Sequence, residues 1–151
     1  MAYDHNSDKD VEIVDACITS GSLLRLSAWI KIGGFWEELF IDMVDFDLCW
    51  SLGEAGYKIL RVNNQTLLQE IGKAKRVRFL GKENVVYNHN PKRCYFIIRN
   101  TIAVGRKHNR IKQCWRWVIK RILLINLFEL NRWAKNKMMA KGVFDGLRFK
   151  I

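Results

Sequence analysis

The chain has 151 residues, 49% of them hydrophobic, with one proline and a formal net charge of +11. That apolar content rules out a disordered tail, and the length suffices for one modest domain with a core. Four widely spaced cysteines (Cys17, Cys49, Cys94, Cys114) with no CxxC pair argue against a disulfide frame or a zinc site, and read as reduced thiols in a cytoplasmic protein.

Residues 1–17 are expected to be a poorly ordered lead-in, polar and acidic at the start and without the apolar stretch of a signal peptide. The stretch VEIVDACITSGSLLRLS, from Val11 to Ser27, is rich in β-branched residues and predicts two short extended pieces around a tight turn at Ser20-Gly21. Ser27 is placed to cap a short helix, SAWIKI, that stops at Gly33-Gly34. Phe35 and Phe40 then lie in a loop. From Asp45 the pattern is helical, with Leu48, Cys49 and Leu52 on one face and Gly56 as the residue that ends the helix. YKILRV predicts a strand and TLLQEI another. GKAKRVRFLGKENVVYNH predicts a basic loop followed by strands. Pro91 suits the first turn of a helix through RCYFIIRNTIAVGRK.

The last third, from about Ile111 to Ala140, reads as one long helical stretch. Lys112, Arg116 and Lys120 form a basic stripe, and Cys114, Val118, Ile122 and Ile125 run along the far side. ILLINLF, from Ile122 to Phe128, is nearly apolar all round but too short to span a bilayer. Trp115, Trp117 and Trp133 among many Lys and Arg are what a helix lying on a membrane surface would use; a helix packed on the domain with solvated lysines is the plainer alternative. Charge is also segregated along the chain. Residues 1–72 hold 5 Lys/Arg against 12 Asp/Glu, and residues 73–151 hold 21 against 3. A basic half of that density faces phosphate of some kind.

Three aspartates, Asp42, Asp45 and Asp47, sit among bulky apolar residues in FIDMVDFDLCWSLGEAGYKI, from Phe40 to Ile59. Capping of a helix start by side-chain oxygens explains one of them. Three within six residues suit a general base or a site that meets cations.

The order of these elements resembles the back half of the family 2 glycosyltransferases, and most nearly the bacterial rhamnosyltransferases of surface polysaccharide synthesis. The matching pattern FxDxVDxxxC falls on Phe40, Asp42, Val44, Asp45 and Cys49. Further matches are RVRFLGK (76–82), the NHxPxRxYxxxRN run from Asn88 to Asn100, and AKGVFDGL from Ala140 to Leu147. The resemblance implies an α/β fold: the acceptor-side half of a GT-A glycosyltransferase over 18–108, with short mixed strands and helices, then basic amphipathic C-terminal helices over 109–151. It implies inverting transfer of a sugar from a nucleotide-sugar such as dTDP-rhamnose to a lipid-diphosphate-linked or polysaccharide acceptor. Asp45 would be the base that takes the acceptor proton. Ser20, Gly21, Asp42, His89, Arg93 and Arg99 would meet substrate, and the arginines suit a diphosphate because their planar forks match its oxygens.

Three departures from the family stand out. Nothing before Ile18 reads as the nucleotide-binding half with its DxD motif, so the chain is expected to be inactive alone and to need a second chain. Gln69 stands 24 residues after Asp45, where a metal-ligating histidine is usual, so binding of the family's Mg²⁺ or Mn²⁺ is doubtful. Ser51 replaces a common arginine. A half-domain would leave sheet edges and apolar surface uncovered, so self-association is expected. The implied place is the inner face of the bacterial membrane, as a peripheral protein. The competing readings are a non-catalytic basic module for nucleic acid or a membrane surface, disfavoured for nucleic acid by the lack of a recognition motif, or a remnant kept for interaction.

Overall fold

The computed structural model describes residues 10–67, 74–79 and 81–151. These form five α-helices and two two-stranded antiparallel sheets, a mixed α/β architecture. The chain divides into two compact units, one up to Gln69 and one from Glu70 onward. Among the described residues no helix is long and apolar enough to cross a membrane.

In the first unit, strand β1 (Val11–Val14) pairs with β2 (Ile59–Val62), with Val11 opposite Val62 and Ile13 opposite Leu60. The residues expected to be a loose lead-in up to 17 thus include a strand. Alternation puts Val11, Ile13, Leu60 and Val62 on one face, and all four are exposed. Glu12 on the other face takes hydrogen bonds from Arg61 and Asn63. The turn after β1 forms at Ser20-Gly21 as predicted, but Ser22–Arg25 is not a strand. Helix α1 (Leu26–Lys31) starts one residue early: Arg25 holds the capping position without a side-chain bond, and Ser27 lies inside the first turn. Gly33 and Gly34, both at φ 82, end it as expected.

Helix α2 (Val44–Glu54) closes in a Schellman motif. Tyr57 N–H reaches the carbonyl of Leu52 at 2.9 Å and Gly56 N–H that of Gly53 at 3.0 Å, with Gly56 at φ 88. Leu48 and Leu52 pack with Ala28 from α1 in the unit's core, where Tyr57 and Ile59 join them. TLLQEI does not give the predicted strand at Thr66 and Leu67; its remaining residues, Gln69 included, lie outside the described ones.

In the second unit, β3 (Lys75–Phe79) and β4 (Lys82–Val86) pair antiparallel as a basic hairpin, where a basic loop followed by strands was expected. Asn90 caps α3 (Pro91–Lys107), its side chain accepting from Arg93 N–H at 2.8 Å, with Pro91 in the first turn. The predicted single stretch from Ile111 to Ala140 is instead two helices, α4 (Ile111–Phe128) and α5 (Arg132–Arg148). The break has a long-range cause. Asn131 takes a left-handed conformation, φ 53, and Asn88, well back in the chain, accepts from Leu130 N–H at 3.2 Å and from Lys135 Nζ at 2.6 Å. Lys135 also donates to Glu129 at 2.7 Å, both residues 2% exposed. Arg121 Nη2 lies 3.1 Å from the other Glu129 oxygen, an ion-pair distance although the groups are not aligned for a hydrogen bond.

Cys94, Ile98 and Ile102 of α3, Val118 and Ile125 of α4, and Met139 of α5 form the second core. Helix α3 therefore belongs with α4 and α5, and the expected boundary after 108 is not where the chain divides. Gly142 and Gly146 let α5 lie directly on α3: a Cβ on Gly142 would stand 2.7 Å from the Tyr95 carbonyl oxygen, and one on Gly146 2.8 Å from that of Arg99.

Cys49, Cys94 and Cys114 are buried and Cys17 is half-buried. Burial pushes the Cys49 and Cys114 thiols up to about 11 and raises that of Cys94. Thiolate is the reactive form. Titration with a thiol reagent at mild alkaline pH should therefore modify Cys17 rapidly and the other three only after denaturation. Fast reaction of all four in the native protein would contradict the packing of both cores.

Candidate functional site

The approach to α2 is made of unfavourable backbone. Phe40 (φ 62, ψ −49) is the centre of a γ-turn in which Ile41 N–H reaches the Leu39 carbonyl at 2.7 Å. This positive-φ form is rare and strained. Asp42 and Met43 follow at φ 59 and φ 67. Side chains in this region cost of order 1–3 kcal/mol each, and such residues gather at functional sites. Leu39, with no exposed surface, anchors the segment from one side and α2 from the other. The effect is to present Asp42 and Asp45, both half-buried, at the start of α2.

Asp45 does not cap its own helix. Met43 holds the capping position, and its side chain makes no capping bond. The Asp45 carboxylate instead points across to the other predicted element: its Oδ1 accepts from the backbone N–H of Thr19 at 3.0 Å. Thr19 begins the tight turn through Ser20 and Gly21, closed by Ser22 N–H to the Thr19 carbonyl at 3.1 Å. Gly21 takes φ 72, the positive value that the third residue of a type II turn requires. Ser22 Oγ adds a bond to the Ile18 carbonyl at 2.8 Å. Asp45, Ser20 and Gly21, 24 or more residues apart in sequence, are thus brought together. Among the described residues Oδ2 of Asp45 makes no hydrogen bond.

Below this surface, α2 is fixed to the chain that follows β1. Trp50 Nε1 donates to Asp15 Oδ2 at 3.0 Å, and the Cys49 thiol lies 3.7 Å from the Cys17 carbonyl oxygen. Cys49 owes its raised pKa to burial first and to Asp45 least. Asp47 is buried beneath the helix start. The role of Thr19 was not foreseen, because a backbone N–H leaves no signature in sequence. Asp15 opposite Trp50 was missed because the two stand 35 residues apart in the chain.

The expected site residues His89, Arg93 and Arg99 belong to the second unit. His89 stacks on Tyr87 with ring centroids 5.2 Å apart, and its carbonyl lies 3.9 Å from the Cys94 thiol. Arg99 is held among aromatic rings: its guanidinium carbon is 4.9 Å from the Phe96 centroid, 4.8 Å from Phe149 and 5.7 Å from Tyr95. Its Nε donates to the Asn100 side chain at 2.8 Å. The rings offer the cation their negative faces, and its charge also helps to hold the Asp145 carboxyl below its usual range, after the hydrogen bonds from Lys141 and Tyr95. Arg93 and Arg99, six residues apart in one helix, leave α3 about 120° apart around its axis, so they occupy different faces.

Among the described residues no three His, Cys, Asp or Glu side chains gather into a metal site. Gln69 lies outside the described residues, and Asp42, Asp45 and Asp47 do not supply such a set. No protein family, curated protein or solved structure matches this chain.

Proposed function

We propose that the chain is the acceptor-side part of an inverting, rhamnosyltransferase-like glycosyltransferase acting beside the inner face of a bacterial membrane, and that Asp45 is its general base. One observation carries the reading: the Asp45 carboxylate is fixed through one oxygen by the Ser20–Gly21 turn, while the other makes no hydrogen bond among the described residues. A base needs this arrangement, oriented yet able to accept a proton.

The chemistry follows from that geometry. An acceptor sugar hydroxyl resting on the turn would donate its proton to Oδ2 as its oxygen attacks the anomeric carbon of the nucleotide-sugar. The bond from that carbon to the diphosphate breaks on the opposite side, and the nucleoside diphosphate departs with the electron pair. The donor site, and any divalent cation the reaction uses, would come from a segment outside these 151 residues. The exposed apolar face of Val11, Ile13, Leu60 and Val62 supports this part, since a two-stranded sheet is marginal in water by itself.

The test is Asp45→Asn in the assembled enzyme, with dTDP-rhamnose as donor. Asparagine keeps an oxygen for the Thr19 N–H but cannot take the proton. Transfer should fall about 10²–10⁴-fold, the usual contribution of a general base, with little change in unfolding midpoint. A rate within a few-fold of the parent would leave Asp45 as a tether for the turn and nothing more.

A second reading rests on the β3–β4 hairpin, where Lys75, Arg76, Arg78 and Lys82 are all exposed. A basic ribbon of this kind would bind nucleic acid through phosphate, and the binding would weaken steeply with salt. Retention of DNA or RNA on filters at two salt concentrations separates it from the first.

A further inference from the structure

Helix α4 has two unlike faces. Cys114, Val118 and Ile125 are buried in the core of the second unit. Lys112, Arg116, Ile119, Lys120, Leu123 and Leu127 are exposed, and at 3.6 residues per turn they fall within an arc about 100° wide. This outer face is graded along its length. Cations fill the first half, and Ile119, Leu123 and Leu127 fill the second. The apolar run continues past the end of the helix into Leu130 and Trp133, which are 70% and 80% exposed. A helix that only packs on its domain places polar residues on the solvent side. Here ILLINLF, apolar but for Asn126, puts Leu124 and Ile125 in the core and leaves Leu123 and Leu127 exposed.

We propose that this face of α4, with Leu130 and Trp133, is a docking surface for an anionic lipid bilayer. The argument is one of charge and layering. Arg132 and Lys137 flank Trp133 and are exposed like the cations of α4. The one acidic residue between Ile111 and Lys137 is Glu129, and it is buried with Lys135 and Arg121. No carboxylate of this segment therefore opposes the basic groups. A surface that offers aliphatic side chains, an exposed indole and adjacent cations matches acyl chains lying beneath anionic headgroups. Tryptophan suits that boundary because its ring is apolar and its N–H is not. The surface stands on α4 and the start of α5 alone, and does not depend on sugar transfer.

The experiment uses the full chain with vesicles of phosphatidylglycerol and phosphatidylcholine, against vesicles of phosphatidylcholine only. Co-sedimentation should show binding to the anionic vesicles that weakens about tenfold or more on neutral vesicles and at high salt. Leu123→Gln with Leu127→Gln, and separately Lys112→Gln with Arg116→Gln, should each weaken it about tenfold. All four side chains are exposed, so circular dichroism should be unchanged. Brominated lipid should quench tryptophan fluorescence, and Trp133→Phe should remove most of that quenching. Absence of binding, or binding kept in full by the leucine variant, overturns the proposal. So does a lipid-independent dimer, seen by sedimentation velocity, that the leucine variant dissolves: that outcome would assign the face to a second copy of the chain.

Discussion

Glu129→Ala is expected to destabilise the second unit by about 3–5 kcal/mol, the cost of leaving a buried charge uncompensated. Glu129 sits between Lys135 Nζ at 2.7 Å and Arg121 Nη2 at 3.1 Å. Without it, two cations remain against each other in a poorly solvated place, and Lys135 keeps only the Asn88 oxygen. Lys135→Met should cost less, because Arg121 still faces the carboxylate. The double variant should then fall short of the summed single losses, as expected for groups in direct contact. Urea unfolding followed at equilibrium reads all three. A loss below about 1 kcal/mol for Glu129→Ala, the value typical of exposed ion pairs, would mean that water reaches the cluster.

Gly142→Ala is the second large effect, and its sign is informative. Alanine is favoured over glycine within a helix by about 1 kcal/mol. At Gly142 the new methyl would meet the Tyr95 carbonyl oxygen at 2.7 Å and the Ile98 Cβ at 3.2 Å. These are backbone and near-backbone atoms that cannot swing aside, so overpacking should win by about 1–3 kcal/mol net. Gly53→Ala in α2 is the control: nothing lies within 4 Å of its added Cβ, and it should be neutral or stabilising. Were Gly142→Ala to behave like Gly53→Ala in thermal unfolding, α5 would not lie against α3 as described.

Much of the local structure was legible because the deciding chemistry is local. Pro91 announces the start of α3, Gly56 announces the end of α2, and Gly33-Gly34 ends α1. What escaped the sequence depends on contacts far along the chain. Nothing between Ile122 and Lys137 is glycine or proline, so the break at Glu129–Asn131 has no local marker. It is set by Asn88 and Lys135. The spacing of Gly142 and Gly146 was visible only as part of a motif, and the surface those glycines lie on was not. The aspartate cluster was plain, and so was the turn at Ser20-Gly21. That Asp45 joins them through a backbone N–H could be learned only from coordinates, as could the positive φ of Phe40, Asp42 and Met43.

Asn88 has a consequence for how the second unit opens. One amide oxygen on the connector between the hairpin and α3 accepts from the corner after α4 and from the first turn of α5. Three stretches of chain share that acceptor, so fraying of any one of them exposes partners of the other two. They should exchange their backbone protons together, as one cooperative block, and not end by end as isolated helices do. The corner between α4 and α5, which a sequence reader would take for a hinge, is on this account a latch.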